Sequence, residues 1–123
     1  IEFKEKRTME LDQRQCVPCC GGVLPVKGEA LEMLFQELQD GWKMINEHRL
    51  QKDYVFPSYQ EALRFMNLIA NLAESEGHHP ELIISFRNVR VSYWTHKIDG
   101  LVESDFIIAS KSDLIHANEF PAT

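Results

Sequence analysis

The sequence predicts an α+β fold, a four-stranded antiparallel sheet with three helices packed on one face. Two short strand pairs alternate with three helical segments, in the order helix, hairpin, helix, hairpin, helix. Hairpins that alternate with helices favour one antiparallel sheet whose apolar face is covered by the helices. The chain has 123 residues, 44% of them hydrophobic, which is enough to bury a core without disulfides or a metal.

The first helix and the first hairpin follow each other directly. From Gly28 to Asp40 apolar residues recur at helical spacing, and Gly41 stands where a left-handed C-terminal cap would end the helix. The segments Trp42–Ile45 and Leu50–Phe56 are strand-like runs separated by polar residues, which predicts a hairpin.

A second helix and a second hairpin come next. Ser58 and Glu61 form a capping-box pattern, in which each side chain satisfies a backbone NH of the other residue. Apolar residues three and four apart continue the helix to a stop at Gly77. The segments Glu81–Phe86 and Val89–Thr95 are rich in β-branched and aromatic residues, so they predict a hairpin with RN as its turn.

The chain closes with a third helix. Ser104 is placed to cap this helix, which we expect to run to about His116. Residues 1–26 contain the stretch CVPCCGGVLP and show no sustained period, so we expect an irregular arm there. The predicted organisation is this arm, one domain over residues 27–118 and a tail over residues 119–123.

Charge and hydropathy exclude several classes of partner. The formal net charge is −6, so no strong positive field would attract nucleic acid or an anionic membrane. No apolar run approaches the roughly 18 residues of a membrane span, and we expect a soluble, cytoplasmic protein. A four-stranded sheet has two open edges, which proteins often cover by oligomerising. The sequence therefore predicts a homodimer or a homotetramer.

Two neighbouring histidines occupy the junction between the second helix and the second hairpin. Glu74 lies four residues before His78, one helical turn away, so its carboxylate can hydrogen-bond an imidazole there. Such a carboxylate raises the basicity of an imidazole and fixes its tautomer. Pro80 restricts His79 to extended backbone geometry, which points the two adjacent rings in different directions. The pair can therefore flank a ligand.

Two further residues are expected at the same corner. The second strand of the hairpin returns antiparallel to the first, so His96 at its end comes back towards His78 and His79. Asp105 lies in the first turn of the last helix, where the positive end of the helix favours a carboxylate. The sequence thus predicts three imidazoles and two carboxylates in one site.

This arrangement resembles the pattern of the pterin-4a-carbinolamine dehydratases, also called 4a-hydroxytetrahydrobiopterin dehydratases. The residues that match the pattern are Glu74, His78, His79, Pro80, Phe86, His96 and Asp105. The stretches GW at Gly41 and THKIDGLVESDF from Thr95 are also similar, and the resemblance covers about Cys16 to Leu114. Val102 is a departure, since the family usually has a threonine there.

The resemblance implies a hydro-lyase. The reaction would dehydrate a 4a-hydroxytetrahydropterin to the quinonoid dihydropterin, which regenerates the pterin cofactor of aromatic amino acid hydroxylases and needs neither metal nor organic cofactor. Expelling the hydroxyl as water needs one proton delivered to oxygen and one removed from a ring nitrogen. Imidazoles suit both steps, because their ordinary pKa of about 6.5 lies near working pH.

The resemblance also assigns roles to individual residues. His78 and His96 are the candidate acid and base, in an order that the sequence leaves open, and His79 would bind and orient the pterin. Glu74 would hold and tune the histidine pair and completes the catalytic set. The expected substrate-binding residues are Trp42, Pro80 and Asp105, of which Trp42 would pack near the pterin and Asp105 would orient His96 or its loop.

Plainer interpretations stay open beside these roles. A histidine pair before a proline is often a surface turn, and Trp42 could anchor the core of the first hairpin. Asp105 could serve only as a favourable helix charge. His48 and His116 have no partners in the pattern, and we expect both to be exposed to solvent.

Two other functions also stay open. Some relatives act as dimerisation partners and coactivators of a homeodomain transcription factor, so the chain could be a protein-binding module. It could also be an enzyme that acts on another pterin, such as an intermediate of the molybdopterin pathway. Pocket shape, rather than the residues that transfer protons, would separate such close pterin analogues.

Three cysteines lie in the arm. Cys16, Cys19 and Cys20 form CxxCC, half of a zinc-binding spacing that two histidines could complete. An odd number of cysteines argues against a disulfide framework. We expect reduced packing residues and no metal.

Overall fold

The computed structural model describes residues 11–13, 26–98 and 100–121. The helices are α1 (Gly28–Gln36), α2 (Tyr59–Glu76) and α3 (Glu103–Glu119), and the strands are β1 (Lys43–Ile45), β2 (Arg49–Val55), β3 (Glu81–Ser85) and β4 (Asn88–Tyr93). A short 3-10 turn, Leu11–Gln13, precedes them. The predicted α+β fold of three helices and one four-stranded antiparallel sheet is confirmed.

The two hairpins join through their second strands. The order across the sheet is β1-β2-β4-β3, and every neighbouring pair is antiparallel. Tyr54 of β2 lies opposite Val89 of β4, and Leu50 lies opposite Tyr93. These residues are buried, and they alternate with exposed residues such as Asp53 and Arg90 on the other face. This alternation is the period of two that a half-covered sheet requires.

One core lies between the inner sheet face and the helices. Its fully buried members from β2 and β4 are Leu50, Tyr54, Val89, Val91 and Tyr93, and those from α2 and α3 include Ala62, Phe65, Ile69, Phe106 and Ile108. The apolar spacing on α2 predicted its buried positions from the sequence. The core fixes α2 and α3 against the sheet, and their ends position the site described below.

The ends of α2 are those that the sequence predicts. The Oγ atom of Ser58 accepts a hydrogen bond from the backbone NH of Glu61 at 3.1 Å. At the other end Gly77 is left-handed, with φ of 67°, and its NH returns to carbonyls of the last turn. The NH of His78 then bonds the carbonyl of Ala73 at 3.1 Å. The first histidine is therefore tied to the end of the helix.

The end of α1 differs from the prediction. The helix stops at Gln36 rather than Asp40, because the NH groups of Glu37 and Leu38 bond carbonyls only three residues back and tighten the last turn. Gly41 does not cap the helix. It has φ of 102° in the turn before β1, where a Cβ atom would lie 2.9 Å from the side chain of Lys52.

The start of α3 and the turn of the second hairpin also differ. The helix begins after Val102, so Ser104 is not its cap but a buried residue of the first turn, and the helix continues to Glu119. The hairpin turn is Phe86-Arg87, one residue earlier than predicted. Phe86 adopts a positive φ of 54° there, which is uncommon for a side chain of its size and is not signalled by the sequence.

Most of the predicted arm lies outside the described residues. Leu11 in the short 3-10 turn is buried with the core, whereas Cys16, Cys19 and Cys20 belong to the part that the structure does not describe. The boundaries proposed at residues 26 and 118 stay predictions. Among the described residues, no helix is both long and apolar enough to cross a membrane.

Candidate active site

The end of α2, the start of β3 and the end of β4 meet at one corner of the sheet. Because Glu81 pairs with Ser92, the residues just before β3 and just after β4 lie at the same end of the hairpin. A cleft of about 540 Å³ opens there. Its lining residues are Gly77, His78, His79, Trp94, Thr95, His96 and Lys97. All three predicted histidines therefore line one cavity.

His78 is held by a buried carboxylate. Its Nε2 atom lies 2.6 Å from Oδ1 of Asp105, and only 11% of the histidine side chain is exposed. The other oxygen, Oδ2, accepts hydrogen bonds from Oγ1 of Thr95 at 2.8 Å and from the NH of Val102 at 2.9 Å. The carboxylate is fully buried and fully paired, so it fixes one ring nitrogen of His78 towards the protein. The other nitrogen can face the cleft.

His79 is held differently, by an exposed carboxylate. Its Nε2 atom lies 3.0 Å from Oε1 of Glu74, and the side chains are 64% and 81% exposed. The sequence predicted that Glu74 would contact the histidine pair, and the contact is with the second histidine rather than the first. An exposed pair of this kind is screened by water, so it restrains the ring weakly.

His96 is held by an aromatic ring. Its imidazole stacks on the indole of Trp94, with ring centroids 4.3 Å apart and planes 27° apart. Asp105 was expected to orient His96 or its loop. Its carboxylate bonds His78 rather than His96, and it contacts the loop through Thr95, the residue before His96. Asp105 at the start of α3 thus positions His78 at the end of α2, 27 positions earlier in the sequence.

Three residues named from the sequence neither line the cleft nor hydrogen-bond its histidines. Trp42 is buried in the core and donates its Nε1 hydrogen to Oδ2 of Asp113 at 2.8 Å, which matches the alternative of a core anchor. Pro80 follows the histidine pair without lining the cleft. Phe86 lies at the other end of the hairpin and is 68% exposed. For Trp42 the physical reason is its indole NH, which needs a buried acceptor.

Sequence reasoning missed three residues around the cleft. Trp94 and Lys97 line it, and Thr95 both lines it and donates to the buried carboxylate. Thr95 belongs to the TH dipeptide of the resemblance, so a signal for it was present. The signal for Trp94 was weaker, because an aromatic residue at the end of a strand normally packs into a core.

The two histidines outside the pattern were expected to be exposed to solvent, and this is wrong, because both are half-buried. His116 is half-buried against the rings of Tyr54, Phe56 and Phe65. This burial lowers the pKa of His116, Lys52 lowers it further by repulsion, and Asp113 acts in the opposite direction. His48 is also half-buried, with its ring 6.5 Å from that of Trp94.

A metal-binding cluster of three or more suitable side chains does not occur among residues 11–13, 26–98 and 100–121. The possible zinc ligands of the arm lie outside those ranges, so the zinc alternative is untested. Each histidine of the cleft contacts either a carboxylate or an indole. This arrangement suits proton transfer and the binding of a flat ligand.

Comparison with known proteins identifies the family. The model of the pterin 4 alpha carbinolamine dehydratase family matches residues 25–115. A protein from Rubrobacter xylanophilus named after this dehydratase is 46% identical over 104 residues, which is 85% of this chain and 96% of that protein. A relative of the same name from Rickettsia bellii is 47% identical over 108 residues, covering 88% of this chain and 96% of its own.

A solved structure shares the fold. The crystal structure of a transcriptional coactivator/pterin dehydratase from Brucella melitensis superposes with a TM-score of 0.69 at 27% identity. The match covers 74% of this chain and 97% of that one. With the family model spanning most of the described residues and close relatives matched almost end to end, the chain belongs to the pterin 4 alpha carbinolamine dehydratase family.

Proposed function

We propose that this chain is a hydro-lyase that dehydrates a 4a-hydroxytetrahydropterin to the quinonoid dihydropterin. The observation that supports the proposal most strongly is that three imidazoles line one cleft, each restrained by a different partner. The names of the related proteins point to the same reaction. The cleft volume of about 540 Å³ also falls within the usual range of small-molecule sites.

The reaction needs two proton transfers and no redox step. A protonated imidazole donates its proton to the C4a hydroxyl, the carbon–oxygen bond breaks, and water leaves with the bonding electrons. A neutral imidazole accepts a proton from a ring nitrogen, whose electron pair forms the new double bond to C4a. Charge and protons balance, since one imidazole loses the proton that the other gains. We assign these two steps to His78 and His96 and leave the order between them open.

Asp105 makes His78 the better restrained of the two. A carboxylate on one ring nitrogen fixes the tautomer, which leaves the other nitrogen available for proton exchange with the substrate. His79 and Glu74 lie at the exposed rim, where we propose that the histidine orients the pterin and the carboxylate restrains the histidine. Trp42 and Pro80 act at most indirectly in this scheme, because neither lines the cleft.

A direct assay tests the proposal. A 4a-hydroxytetrahydropterin generated by an aromatic amino acid hydroxylase loses its hydroxyl slowly in buffer, and the purified protein should accelerate that loss. His78→Ala and His96→Ala should each remove roughly 10²- to 10⁴-fold of the rate. His116→Gln, on a histidine outside the cleft, should leave the rate close to wild type. A wild-type rate equal to that in buffer would refute the enzyme proposal and favour a binding function.

We further propose that the physiological substrate arises from aromatic amino acid hydroxylases. The alternative is another pterin, and the two differ in the side chain at the edge of the ring system. Measuring kcat/KM for carbinolamines with different side chains distinguishes the two candidate substrates. A cleft adapted to one pterin should give the higher kcat/KM for the carbinolamine that carries its side chain. A preference for a pterin that no hydroxylase uses would contradict this assignment.

We also propose that the protein works as a homodimer or a homotetramer. β3 is an edge strand of the sheet, and Ile83 on it is 47% exposed. Open edges with apolar side chains are commonly covered by another chain. Light scattering of the purified protein should give a mass of two or four chains, and a mass of 14.3 kDa would contradict the proposal.

A further inference from the structure

We propose that Trp94 is the positioning residue of His96, holding the imidazole in the cleft by stacking rather than by a hydrogen bond. The inference rests on the proposed dehydratase function, in which His96 transfers a proton. It assigns a role to an aromatic side chain that the site pattern of the sequence did not include.

The three imidazoles of the cleft differ in what restrains them. His78 has the carboxylate of Asp105 and His79 has that of Glu74. Among residues 11–13, 26–98 and 100–121, the His96 ring makes its contact with the indole of Trp94, with 4.3 Å between the ring centroids. The two ring planes are 27° apart, so the rings are stacked. The stack restrains the tilt of the imidazole, whereas a hydrogen bond to a ring nitrogen would restrain its rotation.

Trp94 is itself held in place from the sheet. The guanidinium carbon of Arg49 on β2 lies over the indole, 4.1 Å from its centroid. Nη1 of Arg49 lies 3.4 Å from Oε1 of Glu81 on β3. The indole follows β4 directly and is half-buried, so residues of three neighbouring strands or their ends restrain it. An indole restrained in this way can hold the stacked imidazole in place.

Stacking has a chemical advantage for a residue that transfers protons. A carboxylate occupies one ring nitrogen and selects one tautomer, as Asp105 does for His78. An indole contacts the face of the imidazole and leaves both nitrogens able to reach substrate or water. His78 would then keep a single tautomer, whereas His96 could exchange between its two tautomers.

A matched pair of variants tests the proposal. Trp94→Phe keeps a ring for stacking, whereas Trp94→Leu keeps apolar bulk without a ring. Misplacing a reacting group by about 1 Å can cost roughly 100-fold in rate, so Trp94→Leu should lower kcat by roughly 10- to 100-fold with little change in KM. Trp94→Phe should retain most of the rate. Equal losses for Phe and Leu would overturn the proposal.

A double-mutant cycle separates positioning from general stability. If Trp94 acts through His96, Trp94→Leu should cost nothing further in a His96→Ala background. A structural role would lower the rate, or the folded fraction, by the same factor in both backgrounds. An equal loss in the two backgrounds would therefore overturn the proposal even if the single variant were impaired.

Nuclear magnetic resonance gives a readout that does not depend on the reaction. Stacking on an indole shields ring protons, so the Cε1 proton of His96 should resonate upfield in the free protein and move downfield in Trp94→Leu. The Cε1 proton of His78 is the internal control and should stay in place. Nuclear Overhauser contacts between the two rings in the wild type keep the test decisive if Trp94→Leu does not fold. If these contacts are absent, the stacking proposal is overturned. If they are present but the protein has no dehydratase activity, only the proposed function is refuted.

Discussion

A single buried carboxylate links the candidate site to the fold. Asp105 is fully buried, binds His78 through one oxygen, and accepts hydrogen bonds from Thr95 and Val102 through the other. The same side chain therefore orients an imidazole, ties down the strand end that precedes His96 and satisfies the first free NH of α3. Glu74 makes a longer bond to His79, and both of these side chains are exposed to water. The two carboxylates therefore differ in burial as well as in distance.

A pair of isosteric substitutions tests that difference. Asp105→Asn replaces a carboxylate by an amide and should lower kcat by roughly 10²-fold or more, because an amide can present either its oxygen or its NH₂ group and no longer holds His78 in one tautomer. Glu74→Gln should cost less than about tenfold, since water already screens that pair. Steady-state kinetics with the 4a-hydroxytetrahydropterin would measure both. Equal losses, or a larger loss for Glu74→Gln, would contradict the roles assigned to the two carboxylates.

The sequence predicts which residues meet at the site, but not which side chains bond each other. The spacing of Glu74, His78, His79 and His96 was sufficient to place all four at one corner. The bond between Asp105 and His78 was not predicted, because the direction of each imidazole depends on the left-handed residue that ends α2 and on side-chain rotamers. The core position of Trp42 depends on Asp113, 71 residues away, which no local pattern connects to it.

Among the elements, α3 has an incomplete N-terminal cap. The carboxylate of Asp105 accepts a hydrogen bond from the NH of Val102, which is one half of a capping box. Valine has no oxygen to supply the other half, so the side chain at the N-cap makes no hydrogen bond to the helix. The resemblance suggests a threonine there, and the geometry explains why a hydroxyl would fit.

Restoring the hydroxyl should stabilise the protein. Val102→Thr is expected to raise the free energy of unfolding by about 1 kcal/mol, because the Thr oxygen adds a side-chain acceptor for the backbone NH groups of the first turn. Urea unfolding would measure the change. Val102→Ala is the control, since it shortens the side chain without adding an acceptor. If Thr is no more stable than Ala at this position, the cap is not limiting and the prediction is wrong.

Element boundaries were predictable where a side chain signals them. Ser58 and Gly77 bound α2 as the sequence indicated, because a hydroxyl cap and a left-handed glycine have direct structural roles. Ser104 misled the prediction for α3, since the carboxylate one residue later fixes the start of the helix. The end of α1 was also missed, because a tightened last turn needs no special residue.

Across the whole molecule, a second polar cluster lies between the sheet and α3, away from the cleft. Asp113 on α3 accepts hydrogen bonds from Trp42, Lys52 and Tyr54. Burial and the neighbouring carboxylate raise the pKa of Tyr54 well above its usual value, so its hydroxyl stays a donor. His116 lies beside this cluster. The sequence separates these residues by up to 71 positions, so only the fold could reveal the cluster.

His116 should make stability depend on pH. In the unfolded chain it has the ordinary pKa of about 6.5, and in the fold its pKa is lower because burial disfavours the charged ring. Below about pH 6.5 the unfolded state therefore binds the extra proton, and the free energy of unfolding falls as the pH drops. This stability is complete above that value, and its loss levels off below the folded-state pKa.

The variant His116→Phe should remove that contribution. Urea unfolding at about pH 7.5 and about pH 5.5 would give the loss of stability for the wild type and the variant. The wild type should lose more between the two values, because only its unfolded state gains the imidazole proton. A loss as large in the variant would assign the pH dependence to other groups.

The central claim is that three imidazoles at one corner of the sheet bind a flat pterin. The most direct measurement is a nuclear magnetic resonance titration of the wild type with a stable dihydropterin, followed through the Cε1 protons of its five histidines. The resonances of His78, His79 and His96 should all shift and saturate together, while that of His116, which lies outside the cleft, should not move. A titration that shifts none of the three, or shifts His116 instead, would contradict the account.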